Sequence, residues 1–417
     1  MNASHFPFVP GTTPITVVGG EGSYLFTSDG RRILDACGGA IVSNIGHGRP
    51  EIGEAAAAAL NQGAYVVPLW ATEARLRLVD RLTSSWLPKS LNRCLFTSGG
   101  SEAVDVAIRV ARQHHVATGQ TQRWKVLGRE VSYHGATLST LSVGNHDRRR
   151  ASLEPLLMEL PKISPSDADS VAKTIEAEDP ATIAAIIVEP VSGASGGALV
   201  PPDDYLGRLR SLCDEHGILL IADEVMTGFG RTGRRFGVDH SETIPDLLVA
   251  GKGLGGGYVP AGGVFAGDKV VEPLSVAGAT VMYYTFSGSD IVCAVSDRVL
   301  QIMQDEDLVN RAATMGSRLN QLLHDALADH PNVADVRGRG LLQGVELVSP
   351  TSTGGELTTK VVAEALSRDC AIYPAGSAPI PDALLFGPPF VCTDKELEQM
   401  VDICAQSIDA AVASLTP

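Results

Sequence analysis

Residues 184–188, 218–222 and 247–250 form three short runs that are apolar at every position. A strand with one wet face alternates apolar and polar side chains. A run without that alternation needs cover on both faces, as in a parallel sheet sandwiched between helices. Such runs are also far too short to cross a membrane. Between the first two, Pro201-Pro202-Asp203 is a helix start signal, and Tyr205, Leu206, Leu209, Leu212 and Cys213 fall at helical spacing. Gly217 is placed to cap the helix C-terminus. Run, helix and run make a βαβ unit with a right-handed crossover. The chain is predicted to be an α/β protein with a mostly parallel central sheet.

Other segments extend this frame. Leu95-Phe96 and residues 125–127 are strand-like, and the first leads into a helix with Val104, Ala107, Ile108 and Ala111 on one face. A long amphipathic helix is predicted near 308–328 from Leu308, Ala312, Met315, Leu319, Leu322 and Leu323. Short strand signals follow over 335–347. The N-terminal segment, strand-like at Tyr24-Leu25-Phe26 and Ile33-Leu34, has no core of its own and is expected to pack with the C-terminal unit. The expected division is 1–55 and 296–417 as two parts of a smaller α+β domain, with 56–295 as the large domain. A chain of 417 residues, 44% hydrophobic, is long enough for both cores.

The 33 basic and 48 acidic residues leave a net charge of −15, which argues against nucleic acid or an anionic membrane as partner. The seven cysteines are odd in number and none forms a CxxC pair, so neither a disulfide framework nor a metal site is expected. Reduced core thiols fit the cytoplasm. Residues 1–10 show no basic region followed by an apolar stretch, so no signal peptide is expected.

The 44 glycines exceed the usual share of about 7% and sit in clusters between the apolar runs. Clusters of that kind mark turns where backbone approaches a ligand. Gly228-Phe229-Gly230-Arg231-Thr232-Gly233 and Gly251-Lys252-Gly253-Leu254-Gly255-Gly256 both satisfy the dinucleotide pattern G-x-G-x-x-G. Neither opens a helix that could support a pyrophosphate, so a nicotinamide site is not expected. Ser98-Gly99-Gly100-Ser101-Glu102-Ala103 does lie between a strand and a helix. Free N–H groups at the helix start, small glycines and a hydroxyl form a phosphate cradle, although the same residues also read as a plain N-cap. No Lys-Ser/Thr follows, as a nucleotide P-loop requires.

Asp223-Glu224 closes the run 218–222, where a carboxylate faces the ligand crevice of an open α/β sheet or caps a helix. Lys252 closes the run 247–250 between two glycines. Partly desolvated there, its amine would lose basicity and become nucleophilic, although a lone lysine in a turn is more often a solvated surface residue. A phosphate cup, a strand-end carboxylate and a desolvated lysine are the handles that pyridoxal 5′-phosphate needs. Tyr133-His134-Gly135, after residues 125–127, can supply an aromatic to stack on its ring.

These motifs, together with Val188-Glu189-Pro190, Asp223-Glu224-Val225, Thr227-Gly228, Gly257-Tyr258 and Pro388-Pro389-Phe390, resemble the class III aminotransferases over about residues 15–407. Those are pyridoxal phosphate enzymes of fold type I. The resemblance implies Lys252 as the Schiff-base lysine and Asp223 as the partner of the pyridine nitrogen. It implies Val225 and Tyr133 on the two ring faces and Gly100 and Ser101 at the phosphate. His134 joins the cofactor site, and Glu189 would organise the pocket and Asp223's surroundings. Thr285 would reach the phosphate of a partner subunit, so a homodimer with shared sites is implied. Ile41, Val42 and Trp70 form an apolar set expected at the pocket entrance, or else simple core or dimer packing.

Some positions depart from the family pattern. Gly99 stands where relatives often have Ser, Met226 where Gln is common, and Ser289-Asp290 where His-Pro or Asn-Pro is usual. Ala136 and Leu385 occupy places where relatives that bind 2-oxoglutarate or an α-carboxylate often have Arg. Leu384 to Phe390 is similar to the ω-amine:pyruvate branch, yet residues 373–382 contain no Arg. The expected reaction is ping-pong transfer of an amino group from an amine or ω-amino donor to a small oxo-acid, pyruvate favoured over 2-oxoglutarate. A racemase, epimerase or aminomutase of the same fold is the alternative.

Overall fold

The computed structural model describes residues 14–63 and 65–415. The expectation about residues 1–10 lies outside them. A seven-stranded sheet organises the molecule, in the order Arg93–Thr97, Gly262–Ala266, Leu247–Ala250, Leu219–Asp223, Ile183–Val188, Lys125–Arg129, Lys162–Ile163. Only Gly262–Ala266 runs antiparallel to its neighbours.

The unbroken apolarity of the central strands has the expected cause. Ile187, Ile221 and Val249 pack on one face with Val104, Ala107 and Ala111 of the helix Gly100–Ala117. Ile186, Val188 and Leu220 face the other way, against Leu209 and Cys213 of the helix Tyr205–His216. Alternate side chains thus leave the sheet on opposite sides and both sides are covered. The helix ends where expected: Gly217 takes a left-handed conformation with φ 65°, and its N–H bonds the Cys213 carbonyl.

The strand expected at 218–222 is observed as Leu219–Asp223, one residue further on. Pairing continues past the apolar run. Asp223 is in register with Val249, and the Glu224 N–H donates to the Val249 carbonyl at 2.9 Å. Asp223 is therefore held rigidly as the last residue of a central strand.

Two four-stranded sheets lie outside this core. In one, Val17–Glu21, Tyr24–Thr27 and Arg32–Asp35 are joined by Cys370–Ala371, which pairs in parallel with Arg32–Asp35. The N-terminal segment thus completes its sheet with a strand from near the other end of the chain. The second sheet orders Val333–Arg339, Leu342–Leu347, Ile380–Phe386 and Tyr373–Ser377. Residues 373–382 belong to an antiparallel hairpin. The irregular register at Gly376 and the prolines at 374, 379 and 381 disguise its period in the sequence. The long helix is Leu308–Leu327, buried along Leu308, Ala312, Met315, Leu319 and Leu323. Among the described residues no helix is long and apolar enough to cross a membrane.

Candidate active site

Five parallel strands of the large sheet deliver side chains from their C-terminal ends into one cavity of about 210 Å3. Arg93–Thr97 leads to Gly100 and Ser101, and Lys125–Arg129 to Tyr133, His134 and Gly135. Ile183–Val188 leads to Glu189, Val191 and Ala194. Leu219–Asp223 contributes Asp223, Val225, Met226 and Thr227, and Leu247–Ala250 leads to Lys252. Such a crevice at the carboxyl ends of the strands is where open α/β sheets bind ligands.

At its floor Asp223 is held from two sides. Its Oδ1 accepts the Val225 N–H at 3.1 Å, and its Oδ2 lies 2.7 Å from Nδ1 of the fully buried His134. An ionised carboxylate is an acceptor only, so Nδ1 carries the hydrogen and donates it. His134 Nε2 is buried without a partner. Glu189 accepts the Tyr133 N–H at 3.1 Å and the Gly193 N–H at 2.9 Å. It therefore positions the Tyr133 backbone, while His134 is the group that orients Asp223.

Next along the chain, Glu224 is turned away from the cavity. It accepts from Gly237 N and Val238 N at 2.8 Å each and from the Thr227 hydroxyl. Burial pushes its carboxyl up to about 7 in spite of those donors. Adjacent acids thus divide the work: Asp223 faces the cavity and Glu224 fastens the Gly228 to Gly233 loop.

Lys252 is half-buried and lines the cavity, and its amine makes no hydrogen bond or ion pair among the described residues. Burial pulls its amine down to about 8, although Asp223 and Glu189 act in the opposite direction. Its backbone φ is +34°, in the left-handed region that costs a non-glycine residue about 1–3 kcal/mol. Strain and an unpaired amine coincide at one residue.

At the far wall, glycine is required by close approach. A Cβ on Gly100 would lie 2.8 Å from Val225 Cγ1. One on Gly135, where φ is +141°, would lie 2.7 Å from Ser101 Oγ. The Ser101 Oγ accepts the Ala136 N–H at 3.1 Å, which leaves its own hydrogen free to donate into the cavity. The first N–H groups of the helix Gly100–Ala117 have no intrahelical acceptor.

Strand ends, an aspartate secured by a histidine, a strained lysine and a helix N-terminus enclose one space. The description Aminotransferase class-III matches residues 9–408 of this chain. The chain belongs to the class III aminotransferases. The omega-aminotransferase of Caulobacter vibrioides is 33% identical, over 96% of either chain. The putrescine–pyruvate aminotransferase of Pseudomonas aeruginosa is 31% identical over 95% of this chain and 90% of that protein. The solved structure of a transaminase from the marine bacterium Virgibacillus superposes with a TM-score of 0.93 at 30% identity, over 99% and 98% of the two chains. The enzyme is thus a transaminase of fold type I.

The expected site residues separate into two groups. Gly100, Ser101, Tyr133, His134, Glu189, Asp223, Val225 and Lys252 all line the cavity. Thr285, Ile41, Val42 and Trp70 do not line it. Thr285 is exposed, and Trp70 is 69% exposed beside Leu69 at 77%. Ile41 is buried in the cluster that holds Val191, Ala194 and Met226, so it backs the cavity wall. Val42 is half-buried near Gly257.

Sequence reasoning missed Val191 and Ala194 as wall residues, which no motif marks, and it missed Arg149. That guanidinium lies 4.0 Å from the centre of the Tyr133 ring. Its only sequence signal is a run of three arginines, which reads as a solvated surface.

Proposed function

We propose that the enzyme passes the amino group of an amine or ω-amino donor to a small oxo-acid, pyruvate before 2-oxoglutarate. It would do so in a ping-pong cycle with pyridoxal 5′-phosphate held at Lys252. The observation that carries the reading is Lys252 itself, an unpaired amine with a pKa near 8 beside the Asp223–His134 pair.

The donor set fits the cofactor. The Gly100 and Gly135 cradle, too tight for a Cβ, leaves helix N–H groups and the Ser101 hydroxyl to hold a phosphate. Val225 and Tyr133 offer two walls for a flat ring, and Asp223 offers a carboxylate to a ring nitrogen. When bound, pyridoxal phosphate supplies an aldehyde that captures amines and a ring that draws electrons from the adjacent carbon.

The chain's residues do the rest. Lys252 would hold the cofactor through Nζ, and as a free amine it would hold and move a proton at the carbon that bears the amino group, a task suited to an amine with a pKa near 8. Asp223 keeps the ring nitrogen protonated, His134 keeps Asp223 in place, and Glu189 fixes Tyr133.

Substrate choice rests on the walls. Val191, Ala194 and Met226 are apolar, and neither Ala136 nor the 373–382 hairpin offers the second cation that a dicarboxylate would call for. The relative named for putrescine and pyruvate points the same way.

The homodimer is part of this reading. Leu69, Trp70, Met282 and Phe286 are 63–77% exposed, and the Leu69 and 281–288 segments meet at one surface hollow, apolar surface that asks for a partner. Thr285 lies on that rim, outside its own chain's cavity, where a second subunit could use it. All seven cysteines are unpaired thiols, which suits the cytoplasm.

A screen of half-reactions tests the function. The holoenzyme should lose its visible absorbance band with primary amines or ω-amino acids and regain it with pyruvate faster than with 2-oxoglutarate. Turnover of an amino acid without any oxo-acid would overturn the transaminase assignment.

A further inference from the structure

Arg148, Arg149 and Arg150 follow one another, and the structure uses them differently. Arg148 donates to the carbonyls of Gly376 at 2.8 Å and Pro381 at 2.7 Å. Arg150 donates to the carbonyls of Leu141 at 2.5 Å and Gly144 at 2.8 Å and faces Glu154 at 3.3 Å. Both are committed to the fold. Arg149 has no carboxylate within ion-pair distance among the described residues. Among the described residues its guanidinium makes one hydrogen bond, a long one of 3.5 Å to the Tyr373 hydroxyl. Half-buried, it thus has neither the acid nor the close backbone carbonyls that hold its two neighbours.

Its place gives that vacancy a use. On one side the guanidinium stacks over Tyr133, which lines the cavity. On the other, Tyr373 packs on the cluster containing Val191, Ala194 and Met226, which also line the cavity. The Gly376 N–H ties that strand to the Ala194 carbonyl at 2.8 Å. Arg149, just behind the lining residues, therefore stands between Tyr133 and the strand that backs Val191, Ala194 and Met226. Its charge is felt at Lys252, where it helps to hold the amine's basicity down. The other cation felt there, Arg231, is fully committed to the carbonyls of Ser43, Leu341 and Pro388.

We propose that Arg149 reads the substrate carboxylate, binding the oxo-acid acceptor and the acid end of an ω-amino donor with the same fork of N–H groups. The proposal rests on the transaminase reading above and names the substrate class that the site prefers. Stacking on Tyr133 restricts the guanidinium before the substrate arrives, so little orientation is lost on binding. A carboxylate pairs with it in two parallel hydrogen bonds, while an uncharged amine gains nothing from it. A single free cation suits a monocarboxylate such as pyruvate. Arg149 thus supplies the charge that the Ala136 and 373–382 positions lack.

The test compares Arg149→Met and Arg149→Lys holoenzymes with the parent in single-turnover half-reactions. Pyruvate and 3-aminopropanoate carry a carboxylate, and butylamine does not. Arg149→Met should raise the half-saturating concentration of pyruvate and 3-aminopropanoate about 10- to 100-fold while the limiting rates stay within about threefold. Butylamine should change less than about threefold, and Arg149→Lys should recover part of the loss. Equal damage to butylamine would mean that Arg149 only braces Tyr133, and an unchanged pyruvate response would mean that another group binds the acid. Either result overturns the proposal.

Calorimetric binding of the unreactive propanoate supplies a readout that does not depend on turnover. The parent should bind it at least about tenfold more tightly than Arg149→Met. No binding by the parent, or equal binding by both, overturns the proposal as well. If the parent binds propanoate but transaminates no amine, the functional reading has failed and the carboxylate site has not.

Discussion

Asp223, His134 and Glu189 at the cavity floor are at most 5% exposed and hydrogen-bonded within the chain, whereas Leu69, Trp70 and Phe286 on the rim stand 63–77% exposed with nothing over them. The floor is closed because buried charge is costly unless each group finds its partner in the same chain. The rim is open because apolar side chains need only area, which a second copy of the chain can provide as well as its own core. The comparison implies that chemistry should be carried by the floor and its completion by assembly. Substitutions in the two regions should therefore fail in different ways.

The largest effect is expected at Lys252. Lys252→Ala should retain its fold, because the amine has no partner to strand and alanine leaves the backbone φ and its hydrogen bonds as they are. Steady-state turnover should fall by at least about a thousandfold, and the purified protein should form no borohydride-reducible link to pyridoxal phosphate. A reducible link in that variant would move the anchoring amine elsewhere.

The rim should break differently. Trp70→Asp combined with Phe286→Asp places charge where a partner is expected, at positions exposed in the single chain. Circular dichroism should be unchanged, sedimentation should report a monomer, and activity should fall about a hundredfold if Thr285 makes the phosphate contact proposed for it across the interface. A fully active monomer would show that the closed half of the site is sufficient on its own.

How much of this was legible in the sequence follows the same divide. The floor was readable because each of its residues sits at a fixed offset from an apolar run: Asp223 closes a strand, Lys252 follows one after a single glycine, and Gly100 opens a helix. Local sequence sets local geometry there. Ile41, expected at the entrance, lies behind the wall, because its left-handed φ of 57° and its packing against Gly387 turn it into a buried cluster. Arg149 was invisible because its meaning depends on which of three identical neighbours is left without a carbonyl or acid. That is decided by the hairpin of residues 373–386, more than 220 positions away. The hairpin itself was hidden by proline.

A smaller effect concerns pH. A free lysine amine titrates near 10.4, but burial holds Lys252 near 8. Only the neutral amine attacks the cofactor's aldehyde. Uptake of pyridoxal phosphate by the apoenzyme should therefore quicken about tenfold per pH unit below 8 and level off above it. A rise continuing past pH 10 would show that the floor does not desolvate Lys252.

The smallest effect separates the two acids at the strand end. Thr227→Val removes the hydroxyl that donates to Glu224 and leaves two backbone N–H donors in place. Glu224 has a folded pKa of about 7, above its ordinary 4.5. The stability linked to it is complete below pH 4.5, falls as pH rises towards 7, and is level beyond, where both folded and unfolded states are ionised. Loss of a donor to the charged form raises the folded pKa further, so the decline continues to higher pH in the variant. At pH 6 the variant should be about 1 kcal/mol less stable than the parent, the value of a neutral hydrogen bond. At pH 8.5, where Glu224 is ionised, the deficit should approach about 2 kcal/mol, as for a bond to a charged group. Urea unfolding of both proteins at the two pH values measures it. A deficit independent of pH would mean that Glu224 keeps one protonation state over this range. Its size would say which: about 1 kcal/mol for a neutral acid holding the loop after Asp223, about 2 kcal/mol for an ionised one.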